Sequence, residues 1–179
     1  MIVASIDLEL TQPSERIIEI GITLGKVEDR SIIETRSYFI NPQEQLTDYI
    51  IDLTSIKQSD VDKAPTLSEA YGSIMSWLKS NKIHKSAIVW GGDDVRLLKE
   101  QVKEFNPNLA DWCFGHRIID VKTLVQAYHC SKRVTMQGGL RKSFERFGLE
   151  FEGTPHRADV DSLNTLKMYY HMLDKYEKM

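Results

Sequence analysis

The sequence predicts an α/β fold in which a mixed sheet of about five strands is flanked by helices. Three apolar, β-branched segments come first and predict a meander of three strands. Segments with helical spacing then alternate with short apolar runs, which is the pattern of βαβ units. The chain has 179 residues, a length that suits one domain over residues 1–179.

The three N-terminal strands are indicated by their side-chain pattern. Residues 2–10 alternate between apolar side chains and a second set that carries two acidic residues, which is the two-residue period of a strand. Residues 17–26 and 31–40 are rich in β-branched residues and predict two more strands. The short polar junction at residues 28–30 favours a hairpin between them. We expect the first strand to lie at the centre of the sheet.

The rest of the chain alternates between helices and short strands. Thr66 and Glu69 form a capping box, and the apolar residues behind them recur at helical spacing as far as Leu78. Crossovers between the parallel strands should be right-handed. The further elements that we predict are a strand at 86–90, a helix at 93–105, a strand at 116–120, and helices at 121–129, 138–147 and 159–176.

Composition and charge exclude several classes of protein. A net charge of −3 argues against a sequence-specific DNA-binding protein, which is usually basic, but it is compatible with an enzyme that contacts a few phosphates. No apolar run approaches the roughly 20 residues of a membrane span, and the N-terminus does not have the pattern of a secretory signal. Cys113 and Cys130 form neither a disulfide framework nor a metal-ligand motif, so we expect two reduced thiols in a cytoplasmic protein.

Two acidic residues lie near the end of the first predicted strand. Asp7 and Glu9 are two positions apart, so their side chains point to the same face of the sheet. They would repel each other unless a cation lay between them. A solvated strand face is the alternative interpretation of this pair, and these residues alone leave it open.

A further carboxylate lies at the start of a predicted helix. Asp94 precedes the buried stripe of that helix by one turn, so it borders the core and could reach a metal ion. A carboxylate at this place could equally be favoured by the dipole at the helix N-terminus. Asp93 competes for the same role, and we expect Asp93 to be the N-cap and Asp94 the metal ligand.

A histidine and two acids lie at the start of the last predicted helix. His156 and Asp161 span a loop and the first helical turn. A histidine in a loop is usually a surface residue, but beside metal ions an imidazole can act as a general base near neutral pH. We expect Asp159 to be the N-cap and Asp161 the ligand. Four carboxylates and one imidazole can hold two divalent cations and activate a water, as phosphodiester hydrolysis requires.

These motifs resemble those of the DEDDh 3′–5′ exonucleases, a DnaQ-like group with a ribonuclease-H-like fold, over nearly the whole chain. The first motif is Ile-Asp-Leu-Glu-Leu-Thr at 6–11, the second is Trp-Gly-Gly-Asp-Asp at 90–94, and the third ends in Pro-His-Arg-Ala-Asp-Val-Asp at 155–161. Ile-Glu-Ile-Gly at 18–21 resembles the family's second strand, and Asn164 also fits. The Trp-Gly form of the second motif looks like the Eri-like and KapD-like branch, whose small exonucleases include several that act on RNA 3′ ends.

The resemblance implies a metal-dependent exonuclease. Asp7, Glu9, Asp94 and Asp161 would hold two Mg²⁺ or Mn²⁺ ions about 3.5–4 Å apart, and His156 would take the proton of the attacking water. The substrate implied is the 3′ end of a single-stranded nucleic acid, with RNA favoured over DNA, and the product is a nucleoside 5′-monophosphate.

The resemblance also implies contacts to the terminal nucleotide. Leu10 and Thr11 would line its pocket, with their backbone near the 3′ hydroxyl, and Leu53 and Ile56 would pack on the last base. Apolar contact tolerates any base, so little sequence preference is expected. An ordinary core position is the alternative for Leu53 and Ile56. Basic residues that could contact phosphates, or form a solvated face instead, are Lys132, Arg133, Arg141, Lys142 and Arg157.

Two other functions stay open at this point. A nuclease-like fold can bind nucleic acid or a protein partner without cleaving anything, although a binding module does not need all four carboxylates. The chain could also be a proofreading subunit held by a polymerase. A proofreading subunit would use the same chemistry as a free-standing exonuclease and would differ from it in having a polymerase as its partner.

Overall fold

A five-stranded mixed sheet forms the centre of the computed structural model, which describes residues 1–135 and 138–178. The strands follow the spatial order β3-β2-β1-β4-β5. The pairs β1–β2 and β2–β3 are antiparallel, whereas β1–β4 and β4–β5 are parallel. This confirms the predicted meander with β1 at the centre, followed by βαβ units. The strands are β1 (Ile2–Leu10), β2 (Ile17–Lys26), β3 (Ile32–Phe39), β4 (Ala87–Val89) and β5 (Ile118–Asp120).

Helices cover both faces of this sheet. One core packs Ile6 of β1 against α3 and α4, and the other packs Val3 of β1 against α5, α6 and α7. Because side chains alternate along a strand, Asp7 and Glu9 share the Val3 face and are directed toward the α7 layer. The helices formed by the described residues are α1 (Asp48–Thr54), α2 (Gln58–Asp62), α3 (Leu67–Ser80), α4 (Asp94–Phe105), α5 (Val121–Ser131), α6 (Leu140–Phe147) and α7 (Ala158–Glu177).

The first residues of α7 lie directly on the sheet. A Cβ atom added at Gly21 of β2 would lie 1.9 Å from the carbonyl carbon of Ala158, so only glycine permits this approach. Gly21 is paired with Asp7 across the β1–β2 ladder. The start of α7 is therefore held above the acidic end of β1.

The short helices α1 and α2 were not predicted. They have seven and five residues, which is too few for a helical period to show in the sequence. The hydroxyl of Thr47 accepts the Ile50 N–H at 3.3 Å and caps α1. Together the two helices cover Ile18 of β2 with a small apolar cluster that includes Ile50 and Ile56.

The capping predictions are partly wrong. The capping box at Thr66 and Glu69 is confirmed. The N-cap of α7 is Arg157, and not Asp159, which lies inside the helix. The first amide of that helix, at Ala158, donates to Glu19 of β2 at 3.1 Å, so a residue distant in sequence replaces the expected local cap. Asp93 holds the N-cap position of α4, but its side chain makes no capping hydrogen bond.

The two cysteines, Cys113 and Cys130, are free, as expected. Cys113 is partly buried with its sulfur 3.5 Å from that of Met75, whereas Cys130 is exposed. None of the helices within residues 1–135 and 138–178 is long and apolar enough to cross a membrane.

Candidate metal centre and active site

Two strands place the first pair of acids. Asp7 is paired with Gly21 and Glu9 with Glu19 across the β1–β2 ladder. The Asp7 and Glu9 side chains point to the face where α7 begins, because Gly21 contacts Ala158 on that face. The prediction that both carboxylates share one face of a strand is therefore confirmed, and that face is covered by α7 rather than by solvent alone.

The start of α7 brings two more groups to Glu9. One ligand atom each from Glu9, His156 and Asp161 lies within 4.8 Å of the others. The backbone N–H of His156 donates to Oδ2 of Asp161 at 3.1 Å. His156 is exposed and Glu9 is buried, so the group is open to solvent on the imidazole side.

The start of α4 supplies the last acid. Asp94 is the first residue of α4 and follows the carboxyl end of β4, which is parallel to β1. Its charge acts on both Asp7 and Glu9, where it adds to the effect of burial and of other acids in raising their pKa values. Asp93 is directed away, because its side chain is 72% exposed and pairs with Arg96 at 3.0 Å. The structure thus brings Asp94, and not Asp93, to the acidic group.

Of the four carboxyl groups of this centre, Glu9 is buried and Asp7, Asp94 and Asp161 are half-buried. Burial, followed by the charges of Asp94 and Asp161, raises the pKa of Asp7 well above its ordinary value. Burial and the charges of Asp161 and Glu19 raise the pKa of Glu9 to about 8. Burial raises the pKa of Asp94 to about 6 and also raises the pKa of Asp161. This negative charge is poorly compensated by the protein, and a bound cation would compensate it.

The donor set fits hard divalent cations. It consists mainly of carboxylate oxygens, with one imidazole beside them and no thiolate. Oxygen ligands are the ones that Mg²⁺ and Mn²⁺ favour. Asp7, Glu9, Asp94 and Asp161 could hold such ions between β1, α4 and α7. His156 lies beside them and is near enough to Glu9 and Asp161 to be a ligand as well as a base.

The predicted contacts to a terminal nucleotide differ in their accessibility. Leu10 and Leu53 are partly exposed, whereas Thr11 and Ile56 are each 1% exposed. Ile56 packs in the apolar cluster with Ile18 and Ile50. It therefore has the surroundings of a core residue, which was the alternative interpretation, and its side chain offers no surface to a base. Thr11 shapes the loop after β1, because its hydroxyl accepts the N–H of Arg16 at 2.9 Å.

The basic residues have three different surroundings. Arg141 and Lys142 line a groove of about 440 Å³ together with His156 and Asp161. Arg157 instead donates two hydrogen bonds to Glu19. Nζ of Lys132 lies 5.7 Å from the centre of the Tyr128 ring.

Sequence reasoning missed the importance of Glu19. The segment that contains it was noted as a predicted strand that resembles the family's second strand, with no role for Glu19 itself. Its side chain is fully buried and hydrogen-bonded to the residues that follow His156. The available signal was a lone acid in a strand of apolar and small residues. Charged side chains are almost never fully buried unless they are paired, so such an acid predicts a specific partner elsewhere in the chain.

Comparisons with known proteins agree with this geometry. Residues 4–169 match the model of RNase_T, an exonuclease family. The 3′-5′ exoribonuclease 1 of Mus musculus is 26% identical over an alignment of 182 positions that covers 94% of this chain and 52% of that protein. A PolC-type DNA polymerase III of Caldanaerobacter subterraneus is 24% identical over 172 residues, which cover 95% of this chain and 11% of the polymerase. The chain thus spans about half the length of the mouse relative.

A solved structure shares the fold. The nuclease domain of 3′hExo, a DEDDh family member bound to rAMP, superimposes with a TM-score of 0.80 at 24% identity and covers 97% of this chain and 92% of its own. The ribonuclease-H-like fold predicted from the motifs is thereby confirmed. Because the family model also extends over most of the sequence, the chain belongs to the RNase_T family of exonucleases, and its three motifs resemble those of the DEDDh group.

Proposed function

We propose that this chain is a metal-dependent exonuclease that removes nucleotides from the 3′ end of single-stranded RNA and releases them as 5′-monophosphates. The observation that carries the proposal is the grouping of Glu9, His156 and Asp161, whose ligand atoms lie within 4.8 Å of one another. The charges of Asp94, Asp161 and Glu9 act on Asp7, and that of Asp94 acts on Glu9 as well, which supports Asp7 and Asp94 as neighbours of this group. The names of the mouse exoribonuclease and of the rAMP-bound nuclease domain support RNA as the substrate.

The cofactor that we propose is a pair of divalent cations, Mg²⁺ or Mn²⁺, held by Asp7, Glu9, Asp94 and Asp161. When bound, such ions lower the pKa of a water and neutralise charge at the scissile phosphate. The four carboxylates would fix the positions of the ions, since each carboxylate belongs to a strand or to the first turn of a helix. Their raised pKa values support the proposal, because ionised ligands at this spacing need cations between them.

His156 is the proposed general base. Its imidazole is exposed and borders both Glu9 and Asp161, so it can accept a proton from a water held at the carboxylates and pass it to solvent. General bases of this kind operate near neutral pH. This role differs from that of the four carboxylates, which do not need to exchange protons in the reaction.

We propose that the substrate strand lies across the carboxylates. Leu10 and Leu53 would contact the last nucleotide on the side of α1, with Thr11 shaping the pocket through its backbone. The groove beside α6, with Arg141 and Lys142, would receive the phosphates upstream of the scissile bond. Contacts of this kind to bases and phosphates carry little sequence information, which suits an enzyme that removes successive nucleotides.

A 5′-labelled RNA incubated with the purified protein tests the proposal. We expect the strand to shorten by one nucleotide at a time in Mg²⁺ or Mn²⁺, with 5′-monophosphates as products and no reaction in a chelator. Matched DNA and double-stranded oligonucleotides should react more slowly. The variant Asp7→Asn is the inactive control. Tight RNA binding by the wild-type protein without any cleavage would instead favour a catalytically silent binding module.

The polymerase likeness favours a second candidate, a proofreading exonuclease held by a DNA polymerase. This candidate uses the same residues and differs in substrate and partner. Faster removal of a mismatched DNA 3′ end than of an RNA end, together with co-purification of a polymerase, would support it over the RNA proposal.

The single-domain organisation over residues 1–179 and the cytoplasmic location stay predictions, which limited proteolysis and cell imaging would test.

A further inference from the structure

We propose that Glu19 of β2, which is not one of the proposed metal ligands, is a positioning residue for His156. It would act by holding Arg157 and the first residue of α7, so that the imidazole remains beside Glu9 and Asp161. The inference rests on the proposed function in one respect only, because it takes His156 to be the general base. The contacts of Glu19 themselves are independent of that role.

Both oxygens of the buried Glu19 carboxylate are fully used. Oε1 accepts from the hydroxyl of Ser37 at 2.6 Å and from Nη2 of Arg157 at 2.9 Å. Oε2 accepts from Nε of Arg157 and from the N–H of Ala158, each at 3.1 Å. A buried carboxylate is stable only when it is paired in this way. The paired guanidinium has two fixed points of contact, so Arg157 and Ala158 have one position relative to β2.

The residue before Arg157 needs such support. His156 has a φ of 63°, in the left-handed region that residues other than glycine rarely adopt. Its side chain is exposed, so packing does not hold it in place. The described contacts that fix its backbone are the hydrogen bond of its own N–H to Asp161 and the hydrogen bonds that the next two residues make to Glu19.

The other end of the same loop is also held. The side-chain amide of Asn164 donates to the carbonyl of Glu152 at 2.8 Å and accepts the N–H of Glu152 at 3.1 Å. Residues 152–158 are therefore fixed at both ends, by Asn164 on one side and by Glu19 on the other. Of these two, Glu19 is bonded to the residue next to His156, so its removal should have the larger effect on the imidazole.

This arrangement also assigns Arg157. The sequence left open whether Arg157 contacts a phosphate of the substrate, but its Nε and Nη2 donors are both directed at Glu19. Its guanidinium carbon lies 5.3 Å from the centre of the Phe39 ring, which fixes the plane of the group from a second direction. Loss of Arg157 should therefore lower turnover through the position of His156 rather than weaken the binding of RNA.

Kinetics of matched variants test the inference. Glu19→Gln keeps the size of the side chain but removes its charge, and we expect kcat on single-stranded RNA to fall by about tenfold or more while KM changes little. Arg157→Lys should act in the same direction, because an ammonium cannot bond both oxygens in fixed geometry. Glu104→Gln is the control, since Glu104 pairs with Arg16 on the exposed surface, and its kcat should stay at the wild-type value.

A double variant separates positioning from general damage. If Glu19 acts through His156, then adding Glu19→Gln to His156→Ala should cause no further loss of kcat. Losses that multiply would overturn the inference, and so would a wild-type kcat in Glu19→Gln. Should Glu19→Gln fail to fold, Arg157→Lys gives the same comparison, because Arg157 is partly exposed and can be changed without leaving a cavity in the sheet.

Amide hydrogen exchange in the metal-free protein provides a test without activity. We expect Glu19→Gln to accelerate exchange at Ala158 and at His156, and to leave the amides of α3 unchanged. Faster exchange at Ala158 alone would mean that Glu19 caps α7 without positioning His156, which would contradict the inference. If the wild-type protein cleaved no oligonucleotide, the proposed function would fail, but this measurement would still decide whether Glu19 holds the loop.

Discussion

At the scale of single residues, the neighbouring aspartates at the start of α4 have different surroundings. Asp93 is exposed and pairs with Arg96, whereas Asp94 is partly buried with its pKa raised to about 6 by burial. We expect Asp94→Asn to lower kcat by on the order of a hundredfold or more, as the loss of a metal ligand does. Asp93→Asn should retain most of the activity. The reverse result in the same RNA assay would show that the second motif is shifted by one residue.

A general base and a metal ligand can be distinguished by measuring kcat and metal affinity separately, and this comparison tests the role of His156. We expect His156→Ala to lower kcat roughly a hundredfold, as removal of a general base does, while the affinity for Mn²⁺ measured by calorimetry changes little. A parallel loss of Mn²⁺ affinity would make the imidazole a ligand, which its closeness to Glu9 and Asp161 would accommodate. Asp161→Asn is the comparison variant, because it should lower metal affinity and kcat together.

At the scale of elements, long segments with a clear period were predicted well. The β2 and α7 segments lie within a residue or two of their predicted bounds, since ten and twenty residues display their periods fully. The short α1 and α2 have no such period and were missed. Ile56 also could not be assigned from the sequence, because a single apolar residue in a loop gives the same sequence pattern whether it contacts a ligand or the core.

The candidate site was predictable only where its residues belong to local motifs. Asp7, Glu9, Asp94, His156 and Asp161 each stand in a short recognisable segment, and the topology brings these segments together. The contact between Glu19 and Arg157 joins residues 138 positions apart. The apolar strand around Glu19 indicates that this acid needs a partner, but nothing local to either residue identifies which one. The same contact explains why Asp159 was wrongly expected to cap α7. A distant carboxylate satisfies the first amide of the helix, so the helix begins earlier than its local sequence suggests.

The first turn of α6 carries a prediction about the upstream strand. Arg141 and Lys142 line the groove beside His156, so we expect replacement of both by glutamine to raise KM for an RNA oligonucleotide. The slope of log KM against log salt should fall by about 0.7 for each phosphate that the variant no longer neutralises. A p-nitrophenyl ester of a nucleoside 5′-monophosphate has no upstream phosphate, so its KM should not change.

A matched control for this groove lies on α4. Lys103→Gln removes one positive charge from an exposed site near the end of that helix and should change neither the KM for RNA nor its salt dependence. If Lys103→Gln raised KM by half or more of the change in log KM that the double groove variant causes, the contribution of Arg141 and Lys142 would be one of general charge, and the groove would not be a path for the strand.

At the scale of the whole molecule, the acidic centre should make the metal-free protein less stable as pH rises. Glu9 has a pKa of about 8 in the folded protein against an ordinary 4.5, so the unfolded chain releases this proton first. Stability is then lost between pH 4.5 and pH 8, because the folded state binds more protons than the unfolded state throughout that range. The half-buried His171 acts in the opposite sense below pH 6.5, since desolvation lowers its pKa.

Thermal melts at pH 6.5 and pH 8 isolate the carboxyl contribution. Over these 1.5 pH units one such group costs up to about 2 kcal/mol, so Tm of the metal-free protein should fall by roughly 5 °C. Saturating Mn²⁺ should raise Tm more at pH 8 than at pH 6.5, because the ligands must be ionised to bind it. Glu9→Gln should reduce both effects, whereas Glu104→Gln should retain them. A metal-free Tm that increases with pH over this range would mean that the acidic residues of β1, α4 and α7 are already compensated within the protein, and the argument for cations between them would lose its electrostatic basis.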